Sequence, residues 1–225
     1  MRNKTVNRWI IYLVGMLLLT LGLYLNARCG LGTSALLSVA FVGSQVWDIS
    51  FGNASLVVYF IYVALQFVVR GKHRKWSDLL QIPVGLAVSQ TFNLLDRMLP
   101  YARFQDTLGS QLLVLACALL LIGVGTSLSV NMHLVPTPGD GIVQALADRF
   151  HKEQGLMKNI TDCTCVALAT IMSLLLCGRL VGVGLGTVAA MLGVGRVVWL
   201  TNKLVLDKIR AAAGLTQASI GGKIP

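Results

Sequence analysis

Charge is scarce in this sequence. Only 12% of its 225 residues are Asp, Glu, Lys or Arg, where ordinary soluble domains carry about a quarter, so a single soluble core under a solvated surface is excluded. Acidic side chains are rarer than basic ones, 9 against 19, and no segment brings two carboxylates together for acid and base work. Motifs of soluble enzymes are missing: there is no HExxH, no P-loop lysine and no GxSxG. Gly182, Gly184 and Gly186 lie in an apolar run rather than after a strand, so they do not form a phosphate cradle. The 5 cysteines sit mainly in apolar runs, and Cys163 with Cys165 is a CxC whose side chains diverge around a helix. Neither a disulfide framework nor a zinc pattern follows. The expectation is a protein that is not an enzyme, holds no cofactor or metal, and, despite a net charge of +10, binds no nucleic acid.

What the chain has in quantity is apolar sequence, 55% of its residues. Six membrane helices of about 20 residues each would use roughly 120 of them, which leaves no room for a soluble domain. The apolar runs are Ile10 to Ala27, Leu31 to Trp47, Ala54 to Val69, Leu79 to Leu95, Gln111 to Val130, Leu134 to Ala147, Ile160 to Cys177 and Leu180 to Leu200. Two of these, Leu31 to Trp47 and Leu134 to Ala147, open with Gly, Thr, Ser or Pro, and the second carries Asp140. They are expected to re-enter the membrane without crossing it, which makes an all-α protein of about six spans and two broken half-helices.

Basic residues test that reading, because Lys and Arg collect on cytoplasmic loops. With six spans and a cytoplasmic N-terminus, one side holds Arg2, Lys4, Arg8, the cluster Arg70 to Lys75, Arg149, Lys152, Lys158 and the basic residues from Lys203 onward. The other side keeps Arg28, Arg97, Arg103 and Arg179. Crossing by either odd run alone would put basic clusters on both sides. The opening MRNKTVNRW imitates a signal peptide, but Arg28 spoils the cleavage site, so the first run reads as an uncleaved anchor. Both termini are expected on the cytoplasmic side.

Sliding the chain against itself by about 103 residues superposes Leu18 on Leu121, Gly22 on Gly125, Leu25 on Leu128 and Leu31 on Leu134, with Ser34 opposite Thr137. Each half then reads as span, broken run, span, span: a first repeat over 1–105, a second over 106–205, and a short basic tail over 206–225. Three crossings per half invert the second against the first, an arrangement common in secondary transporters.

Chemistry is expected at the two breaks. Non-helical backbone at membrane depth is tolerated only where protein or water satisfies it, so both breaks should line a cavity. Thr137 followed by Pro138 fits an N-cap with proline at the first helical position, and Ser34 can cap the first-half element similarly. The amide ends would favour anionic or carbonyl groups of a solute. Thr33, Ser34, Asn131, Thr137 and Asp140 are the leading binding candidates; Asp140 can equally serve only in a capping box with Thr137. Asp162 stands in the same relation to Asn159, and there capping is the favoured reading. Gln81, Gln90 and Thr187 are second-rank candidates, on third spans expected to face each other, and Arg196 lies deep enough to bind or to snorkel. His133 reads as interfacial. The glycines from Gly182 to Gly195 read as close helix packing, within the molecule or in a homodimer.

Leu31-Gly32-Thr33-Ser34, Pro136 to Gly141 and Gly184-Leu185-Gly186-Thr187 together resemble the bacterial YczE/YyaS/YitT group of integral membrane proteins, from about Trp9 to Leu204. Members of that group usually continue the first element with proline and an acidic residue, where this chain has Ala35, Leu36 and Leu37. Asp140 is thus left without a symmetric partner. The resemblance implies an inner-membrane protein, with transport suggested and regulation of secondary metabolism in some relatives.

The expected function is a small secondary transporter that moves a small polar or anionic solute around a midplane cavity, driven by H+ or Na+. Two other readings stay open: a solute-binding membrane subunit of an energised transporter, and a non-transporting membrane regulator acting through the Arg70 to Lys75 loop and the tail. Substrate identity is not legible in the sequence.

Overall fold

A computed structural model describes residues 2–73, 76–99 and 107–213. The expectations for Arg74, Lys75, Arg103 and the tail beyond 213 lie outside the described residues. Those described form eight α-helices and two 3-10 turns, with no strand among them.

The first half is α1 (Arg2–Arg28), α2 (Ala35–Val46), α3 (Phe51–Arg70) and α4 (Gln81–Met98), with the 3-10 turns Gly71–His73 and Trp76–Leu80 between the last two. The second half is α5 (Leu108–Asn131), α6 (Pro138–Phe150), α7 (Gln154–Cys177) and α8 (Leu185–Ala213). At the 1.5 Å rise per residue of an α-helix, α2 and α6 reach about 18–20 Å, well short of a hydrocarbon core of about 30 Å. The sequence explains both breaks. After α1 the chain turns through Gly30 and Gly32 at φ +79° and +109°, values that only glycine adopts without strain. After α5, Thr137 caps α6 by accepting the amide of Asp140 at 3.2 Å, and Pro138 fills the first helical position, where a missing amide costs nothing.

Among the described residues five helices are long and apolar enough to cross a membrane: Thr5–Arg28, Phe51–His73, Leu108–Asn131, Gln154–Cys177 and Leu185–Val205. Their outer faces carry large exposed apolar side chains, among them Leu17, Ile61, Leu113, Leu175 and Leu192. An ordinary soluble surface does not carry a coat of this extent. The arrangement is consistent with a multi-pass helical membrane protein. The expected third span is present as α4, but its 18 residues, with Gln81, Gln90, Asp96 and Arg97, fall outside that apolar set.

Helices α1 and α5 form the backbone of the packing. A Cβ added at Gly22 would lie 2.7 Å from the Ile122 amide nitrogen, and one at Gly125 would lie 2.7 Å from the Gly15 carbonyl, so glycines let the two main chains touch. Helix α2 packs between α3 and α7, and α6 also packs against α3 and α7. Helix α4 lies on α3 and α8 on α5, so the third spans do not face each other as expected: each is drawn to a different neighbour. The last span also begins later than its apolar run. Gly182 turns the chain at φ +75°, and the segment before α8 joins the first break by Thr33 N–H to Gly182 O (2.9 Å) and Gly186 N–H to Leu31 O (2.7 Å).

Side-chain ties fix which helix ends lie together. Arg8 donates to Met132 O and His133 O at 2.7 and 2.9 Å, and the Tyr12 hydroxyl donates to Val135 O at 2.8 Å. Arg70 bridges Asp78 and Asp148, each at 3.4 Å. At the opposite end Arg28 pairs with Asp96.

Candidate functional site

The two half-length helices start near each other, deep in the bundle. The Tyr62 hydroxyl of α3 donates to Leu36 O at 2.6 Å, and Ser38 Oγ donates to Cys165 O of α7 at 3.3 Å, which fixes the start of α2 half-way along both neighbours. Gln66 of α3 donates to Pro138 O at 3.3 Å and exchanges two hydrogen bonds with Gln81, at 3.0 and 2.9 Å. This closed amide pair lies against Gly141, where a Cβ would come within 2.7 Å of Gln81 Nε2. A Cβ at Gly139 would lie 3.2 Å from Leu36 Cδ1. The N-termini of α2 and α6 therefore converge on a common space.

That space is a cavity of about 300 Å³. Its apolar wall comes from Leu19 and Leu23 of α1, Ile122 of α5, and Met191 and Val194 of α8. Ser34, Thr137 and Asp140 line it at the helix starts, joined by Thr20, Tyr59 and Thr126, and by Lys158, Asn159 and Asp162 of α7. Thr137 Oγ1 donates to Asp140 Oδ2 at 2.8 Å while accepting the Asp140 amide. Thr137 is therefore the cap, whereas the Asp140 carboxylate accepts the Thr137 hydroxyl and lines the cavity without completing a capping box. Asp162 is 3% exposed and pairs with Lys158 Nζ at 3.2 Å. The cavity combines a long apolar wall with a polar pole of two carboxylates, one ammonium, hydroxyls and two helix starts. Such a pole orients a solute, while the wall shields it from water.

A family model matches residues 6–203, nearly the whole chain, and its description is "Family of unknown function (DUF6198)". The chain belongs to this family. No curated protein and no solved structure matches it. The family's name makes no link to the YczE/YyaS/YitT group, and the matched span takes in both breaks, all the cavity-lining residues and most of α8.

The other sequence candidates lie away from the cavity. Thr33 is fully buried behind it, with Oγ1 making no hydrogen bond. Asn131 is engaged by Ser127 O and Asn202 Oδ1, at 2.7 and 2.9 Å. Gln81 supports the start of α6 through Gln66, and Gln90 is exposed. Thr187 is buried in the first turn of α8 and accepts the Gly184 amide at 3.2 Å. Arg196 is exposed on α8 and does not line the cavity. Ser34 stands at the N-cap of α2 but makes no side-chain capping bond. Asp162 is not a cap: α7 begins at Gln154, so Asn159 and Asp162 lie within the helix, and the carboxylate turns to Lys158 and the cavity. The signal for Asp162 was present as Lys158 and Asp162 at i, i+4, a spacing that places both on one helix face. Among the described residues no group of three or more His, Cys, Asp or Glu could hold a metal ion.

His133 lies between α5 and α6 with φ +47°. Its pKa is lowered, first by burial and then by the charges of Arg210 and Arg8.

Proposed function

We propose that the chain is a secondary transporter of the bacterial inner membrane, working by alternating access around the cavity at the starts of α2 and α6. The observation that carries this reading is the convergence of two half-length helices on a cavity holding Asp140 and Asp162. Broken helices whose amide ends face a buried solute site are the recurring construction of ion-coupled carriers.

The packing supports an inverted repeat. Exchanging α1 with α5, α2 with α6 and α3 with α7 turns the contacts of α2 with α3 and α7 into those of α6 with α7 and α3. The pair α1 and α5 maps onto itself, as helices beside a pseudo-two-fold axis must. Counting α4 as the sixth crossing keeps both termini and the basic cluster after α3 on the cytoplasmic side. Asp140 is the group in this reading that couples solute to a proton, because a carboxylate without an ion-pair partner in a membrane interior gains from protonation or from a cation.

The test is electrical. Purified protein in proteoliposomes, adsorbed on a solid-supported membrane, is challenged with a panel of amino acids, organic acids and amines under an imposed pH gradient. Solute-dependent charge movement that disappears in Asp140→Asn is the expected result. Solute binding with no movement across the membrane would replace the carrier with a binding subunit.

A further inference from the structure

The cavity is not walled evenly. Helix α7 packs on α2 and α6, helix α8 packs on α5 and α1, and the cavity occupies the space between them. Among its lining residues Gly155 and Asn159 of α7 and Gly195 of α8 are exposed, so the mouth lies between these two helices. A Cβ at Gly195 would meet nothing within 4 Å. Both helices belong to the long apolar set, and Gly195 is ten residues into α8, about 15 Å from its start. In a bilayer this mouth runs from the polar start of α7, where Gly155 and Asn159 lie, to the middle of α8 at Gly195, so it opens to the headgroup region and the acyl chains beside it.

The charges beside the mouth do not cancel. Lys158 is paired with Asp162, whereas Asp140 has a hydroxyl beside it and no ion-pair partner among the described residues. Two carboxylates against one ammonium leave one formal negative charge at the polar pole, opposed only by the partial charges of the two helix starts, and a ligand carrying a full positive charge is favoured beside Asp140. The geometry points to an amphiphilic cation as the ligand, an ammonium head at Asp140 with an apolar chain along α8, reaching the cavity sideways from the lipid between α7 and α8. This inference rests on the transport reading, of which it names the substrate class, and it replaces the anionic solute expected from the helix starts alone.

Binding in lipid nanodiscs tests it without requiring transport. The full chain is titrated with decyltrimethylammonium, and in parallel with decyl sulfate, decyl maltoside and tetramethylammonium, while the unfolding temperature is followed; a ligand selective for the native state raises it. The expected result is a rise of several degrees with decyltrimethylammonium alone, lost in Asp140→Asn, kept in Asp140→Glu, and lost in Gly195→Phe, whose Cβ enters open space at the mouth. An equal rise with decyl sulfate overturns the cationic head, and an equal rise with tetramethylammonium overturns the apolar chain. A rise that survives both Asp140→Asn and Gly195→Phe, or no rise at all, overturns the site. Binding without flux in proteoliposomes would retain this ligand class and remove the carrier. Flux of small polar solutes with no amphiphile binding would do the reverse.

Discussion

The two halves of the molecule share one order of elements, long helix, short helix, long helix, long helix, and differ in how the last two meet. In the first half α3 and α4 are closed on each other. Ser89 Oγ donates to Gly52 O at 2.7 Å, Asn93 Nδ2 donates to Asn53 Oδ1 at 2.9 Å, and Phe51 stacks on Phe92 with ring centroids 5.0 Å apart. In the second half α7 and α8 stand apart with the cavity between them. Similar construction thus gives one sealed seam and one open one. Small and polar residues at a seam draw helices together, and the glycines at the start of α8 that could have served this purpose are spent elsewhere: Gly184, just before the helix, and Gly186, in its first turn, lie against Leu31 O, while Gly195 faces open space.

The strongest way to break the comparison is to wedge the sealed seam. A Cβ at Gly52 would lie 2.5 Å from Ser89 O, so Gly52→Leu should destabilise by about 3 kcal/mol or prevent folding, as overpacking does. Gly195→Leu, at the open seam, should change stability by less than about 0.5 kcal/mol. Equal losses in thermal unfolding of the purified variants would remove the distinction between the seams. Next in size is the amide pair that seats α6. Gln66→Ala leaves the Gln81 amide buried and unpaired, at a cost of about 1–3 kcal/mol, whereas Gln66→Met with Gln81→Met should recover most of it. Chemical denaturation of the three variants checks this.

A smaller effect is expected at the start of α6, where Thr137→Ala removes a capping acceptor worth about 1 kcal/mol. Ser34→Ala should cost less, since Ser34 makes no capping bond. The two substitutions, compared by thermal unfolding, ask whether the half-helix starts are equivalent. The smallest effect concerns the loop between α5 and α6. Because His133 has a lowered pKa in the folded protein, the unfolded chain binds its proton more readily. Stability from this group is therefore complete above the ordinary value of 6.5 and is lost as pH falls through the folded value. His133→Gln should flatten the decline of unfolding temperature between neutral and mildly acidic pH.

Much of the architecture was legible from residue order. The breaks at Gly32 and Pro136 were visible because positive φ and a proline cap are local requirements, and Gly22 and Gly125, paired by the internal repeat, both lie at the contact of α1 with α5. The start of α7 was hidden, since the polar stretch from Gln154 to Asn159 does not look apolar although it is helical. That concealed Asp162, which an apolar run starting at Ile160 turns into a cap. The start of α8 was hidden in the opposite way: Leu180 to Gly184 is apolar yet non-helical, held by bonds to residues some 150 positions earlier.

Apolar runs, glycine breaks and the thinness of charge specify long helices, two short ones and a surface suited to lipid, because these follow from local geometry and from the cost of wetting apolar side chains. Which polar side chains face a common cavity does not follow from them. Thr33 and Ser34 are neighbours in the chain, yet one is sealed in protein and the other lines the cavity, and Asp162 joins Asp140 only because α7 crosses beside the starts of both short helices. That choice belongs to helix packing, where a shift of one residue turns a side chain by about 100° around its axis.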